Sequence, residues 1–244
     1  MNRPYEPRER VHLRGVLTYV YKTMGRAVVE HNMLNEGDHV LVAVSGGVDS
    51  LSLLKLLLLR QARIPIKFNI TACFVDMDFV KADKAPLIKY FEDEGVKYVI
   101  RPLSFTGQEM GCFWCSWNRR KVLFEVARDC GCNKIAFGHH LDDAAQTILM
   151  NMFFRGEIST APANLSMFNG AARIIRPLCY VSKQALRDFG ACFAFPKDEF
   201  VCPYGKESRR EMMKKIIADL EITCPEVKKN ITRSLKRIKE GYLS

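Results

Sequence analysis

No stretch of the 244-residue chain is both long and apolar enough to cross a bilayer. The longest apolar run, LSLLKLLLL at 51–59, is short and interrupted by Lys55. The first ten residues, MNRPYEPRER, are charged and hold two prolines, so no secretory hydrophobic region is expected there. These absences point to a cytoplasmic protein with no membrane partner, whose nine cysteines stay mostly reduced. Internal repeats and low-complexity tracts are also missing. There is no G-x-x-x-x-G-K-[ST], which excludes a P-loop NTPase. Nor is there a second paired-cysteine motif. Cys112-x-x-Cys115, within MGCFWCSWNRR (110–120), therefore lacks the partner pair a four-ligand zinc site usually has.

What is present is a chain 48% hydrophobic, enough for one large α/β domain or one with an appendage. Nearly all of the +10 net charge lies in residues 1–26 and 205–244, with a near-neutral middle. Basic ends around a neutral core fit a polyanionic partner such as nucleic acid, and equally a solvated basic surface. The apolar spacing of Leu13, Val16, Leu17, Val20 and Met24 predicts a helix over 9–33. HVLVAV (39–44) reads as a buried parallel strand, followed by a helix over 49–60. Strands are expected at 68–76, 97–101, 134–138 and 173–178, with helices at 83–95, 117–131 and 142–153. The alternation predicts a doubly wound, parallel, five-stranded sheet with an N-terminal helix and a C-terminal helical tail. Residues 155–172 read as a long functional loop, and 206–221 and 225–240 as helices. The organisation expected is a basic helical segment (1–35), an α/β domain carrying C-x-x-C (36–200) and a basic helical tail (201–244).

VAVSGGVDS (42–50) leaves a buried strand and opens a helix. Ser45, Gly46 and Gly47 allow a tight turn whose N–H groups, with the helix N-terminus, form an anion site, and Ser50 adds a hydroxyl. Asp49 at such a site calls for a balancing cation, Mg²⁺. GHHLDDAAQT (138–147) follows the fourth strand. Asp142 is placed to cap the next helix and Asp143 lies in its first turn. His139 and His140 fit packed neutral residues or positioning groups. Arg119 and Arg120, at the expected start of a helix, oppose its dipole, which hints at a phosphate contact; solvated arginines fit too. Trp114 and Trp117 suit stacking on a base or shielding a metal group.

The cysteine pair alone fits a redox pair, part of a metal site or buried thiols. Cys73, Cys130, Cys132 and Cys179 read as small buried hydrophobes. Cys202 differs, sitting in a turn within FVCPYGKESRR. Three thiolates, Cys112, Cys115 and Cys202, would suit an iron–sulfur cluster with one iron free of protein ligands.

Ser45-Gly46-Gly47-Val48-Asp49-Ser50 resembles the PP-loop of the ATP pyrophosphatases, of the adenine nucleotide alpha hydrolase-like (HUP) fold. The order PP-loop, C-x-x-C, G-H-x-L-D-D and C-P-Y-G, over residues 20 to 240, resembles their tRNA-thiolating branch. It is most similar to the TtcA group, which makes 2-thiocytidine, and related to the TtuA group, which makes 2-thiouridine. CSWNRRKVLFEVARDCGCNKIAFGHHLDDAAQT, NMFFRGE and IIRPL carry the similarity.

The resemblance implies ATP cleaved to AMP and diphosphate. It implies nucleotide contacts from Ala43, Val44, Ser45, Gly46, Gly47, Asp49, Ser50, Val75, Asp76, Gly138 and His139, with adenine near Val75 and Asp76. It implies a [4Fe–4S] cluster on Cys112, Cys115 and Cys202. It implies a pyrimidine C2 oxygen adenylated and then displaced by sulfur; Asp49 and Asp143 are the expected catalytic carboxylates, with Asp142, the expected cap, as the alternative to Asp143. Arg119, Arg120, Arg209 and Arg210 are the expected phosphate or tRNA contacts. Expected partners are tRNA and a sulfur donor, either sulfide or a desulfurase-derived persulfide, and a homodimer is the expected assembly. Two departures stand out. Val48 occupies a position where thiocytidine enzymes often carry lysine. C-P-Y-G is more like the thiouridine branch, whose terminal zinc ribbons are missing here. Sulfur transfer to a small molecule and a non-enzymatic nucleotide sensor are the alternatives, and the basic ends and full motif set argue against each in turn.

Overall fold

A computed structural model describes residues 15–80, 83–104, 112–196 and 209–242 of the chain. A single sheet has the strand order β3-β2-β1-β4-β6-β5. Its strands are β1 (His39–Val44), β2 (Asn69–Met77), β3 (Lys97–Leu103), β4 (Lys134–Ala136), β5 (Asn164–Met167) and β6 (Ala172–Ile175). All pairings are parallel except β5 with β6.

The sheet thus has six strands where the sequence suggested five. The extra one lies inside the stretch read as a loop. Asn164-Leu-Ser-Met is too short for a periodic signal. It pairs because Asn164 is held by the Arg173 guanidinium (Nε to Oδ1, 3.0 Å) and donates to the backbone carbonyl of His31 (2.8 Å).

Alternation along β1 divides the core. Val40, Val42 and Val44 face a cluster built with helices α1 (Val16–Glu30), α2 (Val48–Gln61), α3 (Ala85–Asp93) and α6 (Lys183–Gly190). Leu41 faces the other way, with Cys73, Val75 and Ile135, against Val122, Leu123 and Val126 of α4 (Cys112–Asp129). Apolar residues on both faces explain the continuous hydrophobic run that β1 shows in sequence. Of the expected first helix, residues 9–14 lie outside the described residues.

Two further elements correct the reading. Helix α4 begins at Cys112, not 117, so Cys115 is within its first turn and Arg119 and Arg120 lie about two turns in. Their argument from the helix dipole, which acts within the first turn, therefore fails. Helix α6 was not anticipated. Ser182 caps it by accepting the Ala185 N–H (3.3 Å), and Leu186 and Phe189 are fully buried. Its eight residues are shorter than the window over which helical periodicity is read.

The basic C-terminal region packs closely. Met213 and Ile217 of α7 (Arg209–Thr223) and Val227 of α8 (Val227–Ser234) join Ala145 and Leu149 of α5 (Leu141–Arg155) in a third cluster. At the amino edge of the sheet a buried pair ties β4 to the turn before β1. Lys134 Nζ donates to Asp38 Oδ2 (2.5 Å) and to the Met33 carbonyl (2.9 Å), while Asn133 holds Asp38 Oδ1 (2.8 Å). The amino edge is thereby closed, and the opposite, carboxyl edge carries the loops.

Candidate functional site

β1 lies between β2 and β4, so the chain winds away in both directions from the β1/β4 boundary. Such a switch point opens a crevice at the carboxyl ends of the strands. The two glycine-bearing motifs meet there. Gly46 has a φ of 90°, a conformation that favours glycine, and Gly47 precedes the first turn of α2 in an extended conformation. Gly138, after β4, lies so close to α2 that a Cβ on it would meet the Asp49–Ser50 backbone at 3.2 Å.

Ser50 plays a different part from the one expected. It is buried, and its Oγ accepts the Ser45 N–H (3.0 Å) and donates to the Gly47 carbonyl (2.9 Å). It braces the loop from within, while Ser45 is exposed. The Val44 and Val75 side chains are likewise in the core, so a ligand at these strand ends would meet backbone. Asp76 accepts from Lys84 at 2.6 Å.

Asp49 faces an ion-pair network. Lys183, the first residue of α6, pairs with its Oδ2, and His140 Nε2 lies 3.6 Å from the same oxygen. Its Oδ1 is buried with no hydrogen-bond partner. Burial opposes ionisation of Asp49, but His140 and Lys183 outweigh it and hold its pKa below the usual value. That orphaned anionic oxygen suits a hard cation such as Mg²⁺.

His140 also stands 3.4 Å from Asp143 Oδ2 and 3.6 Å from Asp142 Oδ2. Burial disfavours its charge, yet Asp142, Asp49 and Asp143 raise its pKa to about 9, so it is an imidazolium at neutral pH. His139 is its opposite. Burial and then Arg176 push its pKa down to about 4, and it stacks on Phe137 as a neutral ring.

The two aspartates exchange the structural part expected of them. The N-cap of α5 is His140, and Asp143 accepts its N–H (3.0 Å). Asp142 instead accepts the Lys183 N–H at the start of α6 (2.7 Å) and pairs with Lys228 of α8 (2.8 Å). It ties three helices together. Burial would raise the Asp142 pKa, but His140, Lys228 and the Lys183 N–H depress it strongly.

Beside this network is a cleft of about 470 Å³, lined by Arg120, His139, His140, Asp143, Arg176 and Arg210, among others. Arg210 lies 3.8 Å from Asp143. Of the four arginines expected to contact phosphate, Arg120 and Arg210 line the cleft. Arg209 instead covers the Phe154 ring at 4.6 Å. Arg176 and Lys183 were not anticipated. Arg176 lies in the stretch read as a strand (173–178), and Lys183 in a part of the chain to which no element was assigned.

Cys115 Sγ lies 3.6 Å from Met77 Sδ at the carboxyl end of β2. A half-buried, reduced thiol at this edge is suited to a soft metal group. The Cys112 side chain and Cys202 lie outside the described residues, so the three-cysteine ligand set remains an expectation. Trp117 is exposed and Trp114 half-buried. Cys73 and Cys132 are buried with pKa values pushed up to about 12 by burial, as small core residues should be.

A doubly wound sheet with a strand–glycine loop–helix at its switch point is the frame of a nucleotide-binding α/β protein, and the PP-loop domain family model matches residues 116–196. The chain is 33% identical over 231 residues to the tRNA-cytidine(32) 2-sulfurtransferase of Geobacter metallireducens, covering 90% of each protein. It is 33% identical over 236 residues to that of Cupriavidus necator, covering 93% of this chain and 75% of the relative. This chain belongs to the tRNA-cytidine(32) 2-sulfurtransferase family. The same fold is seen in the U34-tRNA thiolase NcsA from Methanococcus maripaludis, solved with its [4Fe–4S] cluster. The TM-score is 0.76 at 24% identity, over 94% of this chain and 80% of that one.

Proposed function

We propose that this protein is an ATP-dependent tRNA sulfurtransferase that converts cytidine 32 of the anticodon loop to 2-thiocytidine. The observation that carries this reading is one-third identity to tRNA-cytidine(32) 2-sulfurtransferases along nine-tenths of the chain. The site geometry supports it: an anion-binding loop, a carboxylate with an orphaned oxygen and a guanidinium-lined cleft meet at one sheet edge.

A C2 oxygen is a poor leaving group, and its adenylation turns it into AMP, a good one. The N–H groups of Ser45 to Gly47 and the start of α2 would hold the diphosphate, with Asp49 holding Mg²⁺. His140, charged and caged by three carboxylates, orients Asp49 and Asp143. Asp143, at the mouth of the cleft, positions the reacting base. A [4Fe–4S] cluster on Cys112, Cys115 and Cys202 would supply the activated sulfur when bound. The central segment, 36–200, carries the chemistry, and the basic segments 1–35 and 201–244 embrace tRNA. The sulfur donor is sulfide or a persulfide from a cysteine desulfurase, the location cytoplasmic and the assembly a homodimer.

Nucleoside mass spectrometry of tRNA from cells with and without the protein tests the reading. Selective loss of 2-thiocytidine is expected. Loss of 2-thiouridine would move the assignment to the other base, and unchanged nucleosides would overturn tRNA thiolation. With anaerobically reconstituted protein, ATP, Mg²⁺ and sulfide, Cys115→Ala should lose iron and thiolation while retaining ATP binding.

A further inference from the structure

Arg176 is the first residue beyond β6, at the carboxyl edge of the sheet, and is only 7% exposed. Its Nη1 donates to the Pro162 carbonyl, which fixes one side of the guanidinium, while its Nε is buried without a partner. No carboxylate among the described residues forms an ion pair with it. The charged group that perturbs it most is another cation, Arg120 of α4, which lines the same cleft and is itself without an ion pair among the described residues. Burial and then Arg120 push the Arg176 pKa down to about 10, which leaves it charged at neutral pH.

Burying a charge without a counter-ion is costly, and a second cation lining the same cleft adds to the cost. A core position here could hold a methionine without that penalty. The arrangement makes physical sense when an anion enters between the two forks, since planar guanidinium groups match phosphate oxygens in pairs. The cleft is biased the same way. It is lined by Arg155 and Arg210 as well, by the charged His140, and by one carboxylate, Asp143, already within reach of Arg210 and His140.

We propose that Arg176 and Arg120 form a phosphate subsite separate from the glycine loop, which takes a backbone phosphodiester of the RNA strand beside the reacting nucleotide. This rests on the tRNA reading above. The loop after β1 already presents amides for the phosphates of a nucleotide. The Arg176 subsite lies instead among α4, α5 and β6, in a cleft of about 470 Å³, of the size that admits a single nucleotide. A buried fork would hold the strand in register, and the exposed Arg120 would close over it.

The test is tRNA binding by the full-length protein across a salt series, with ATP-analogue affinity measured in parallel. Arg120→Ala, a surface change, should weaken tRNA binding about tenfold and reduce the slope of log K against log salt by about 0.7, the loss of one single-strand phosphate contact. Arg176→Lys should weaken binding while keeping most of the slope, because charge remains and the fork is lost. Arg176→Met should lower affinity and slope without lowering Tm. ATP-analogue affinity should stay unchanged in all three.

Wild-type affinity and slope in Arg120→Ala and Arg176→Lys would overturn the subsite. Weakened ATP-analogue binding with tRNA binding intact would overturn it in favour of a nucleotide phosphate. An Arg176→Met protein that melts earlier while the other two variants bind normally would show Arg176 to be structural. If wild-type protein fails to bind tRNA at all, the functional reading falls and the subsite falls with it.

Discussion

Lys183, the first residue of α6, places its ammonium on the carboxylate of Asp49, in the first turn of α2. A lysine from a distant part of the chain thus brings positive charge to the glycine loop, where position 48 carries valine. The neighbouring packing is tight, since a Cβ on Gly190 of α6 would meet Val48 Cγ2 at 2.4 Å. Lys183→Met should raise KM for ATP about tenfold, or ~1.4 kcal/mol. Lys183→Arg should recover part of it. Stability should change by only about 1 kcal/mol, because both side chains are roughly a third exposed. AMP-release kinetics and thermal melts check the two effects.

Asp142 and Asp143 are adjacent in sequence and should respond differently. Asp142→Asn weakens charge-assisted contacts to Lys228 and the Lys183 N–H, joining α5 to α6 and α8, and should cost about 2–3 kcal/mol of stability. Asp143→Asn retains an acceptor for the His140 N–H and should cost about 1 kcal/mol or less, while lowering turnover by about a hundredfold or more. Urea unfolding and single-turnover thiolation separate them. Equal losses of stability in both variants would contradict the division of roles.

The paired histidines give opposite pH dependences. The His140 pKa is raised to about 9, so its contribution, up to ~3 kcal/mol, is complete below about pH 6.5 and lost as pH rises through about 9. The His139 pKa is lowered to about 4, so stability falls as pH drops from about 6.5 towards 4. Stability from the pair should therefore peak near pH 6.5. His140→Gln should flatten the alkaline side alone, which chemical denaturation across pH will show.

The Asp38–Lys134 pair is buried at the edge away from the site. Lys134→Met leaves Asp38 without its cation and should cost about 3–5 kcal/mol. ATP KM measured below the lowered Tm should not change, since nothing in the crevice is touched. A shift in KM would mean that the two edges of the sheet are coupled.

Much of the layout was legible in the chain. HVLVAV announced a doubly buried strand because both faces of β1 are covered. SGGVDS announced its loop because only small residues turn so tightly ahead of a helix. The short elements were not legible. β5 has four residues and α6 eight, and each is held by a few contacts distant in sequence, Asn164 to the His31 carbonyl and the Lys183 N–H to Asp142.

Local chemistry along the chain determined the α/β class, the glycine loop and the carboxylates beside it. These depend on residue type and spacing over a few positions, which folding does not alter. Tertiary structure decided which charges meet. It set Lys183 on Asp49, enclosed His140 among three carboxylates, left Arg176 buried at a cleft it shares with Arg120 and made Asp142 a tie between helices. Charge and pKa in a crevice depend on burial and on partners within a few ångströms, and in this fold those partners lie up to 134 positions apart in the chain.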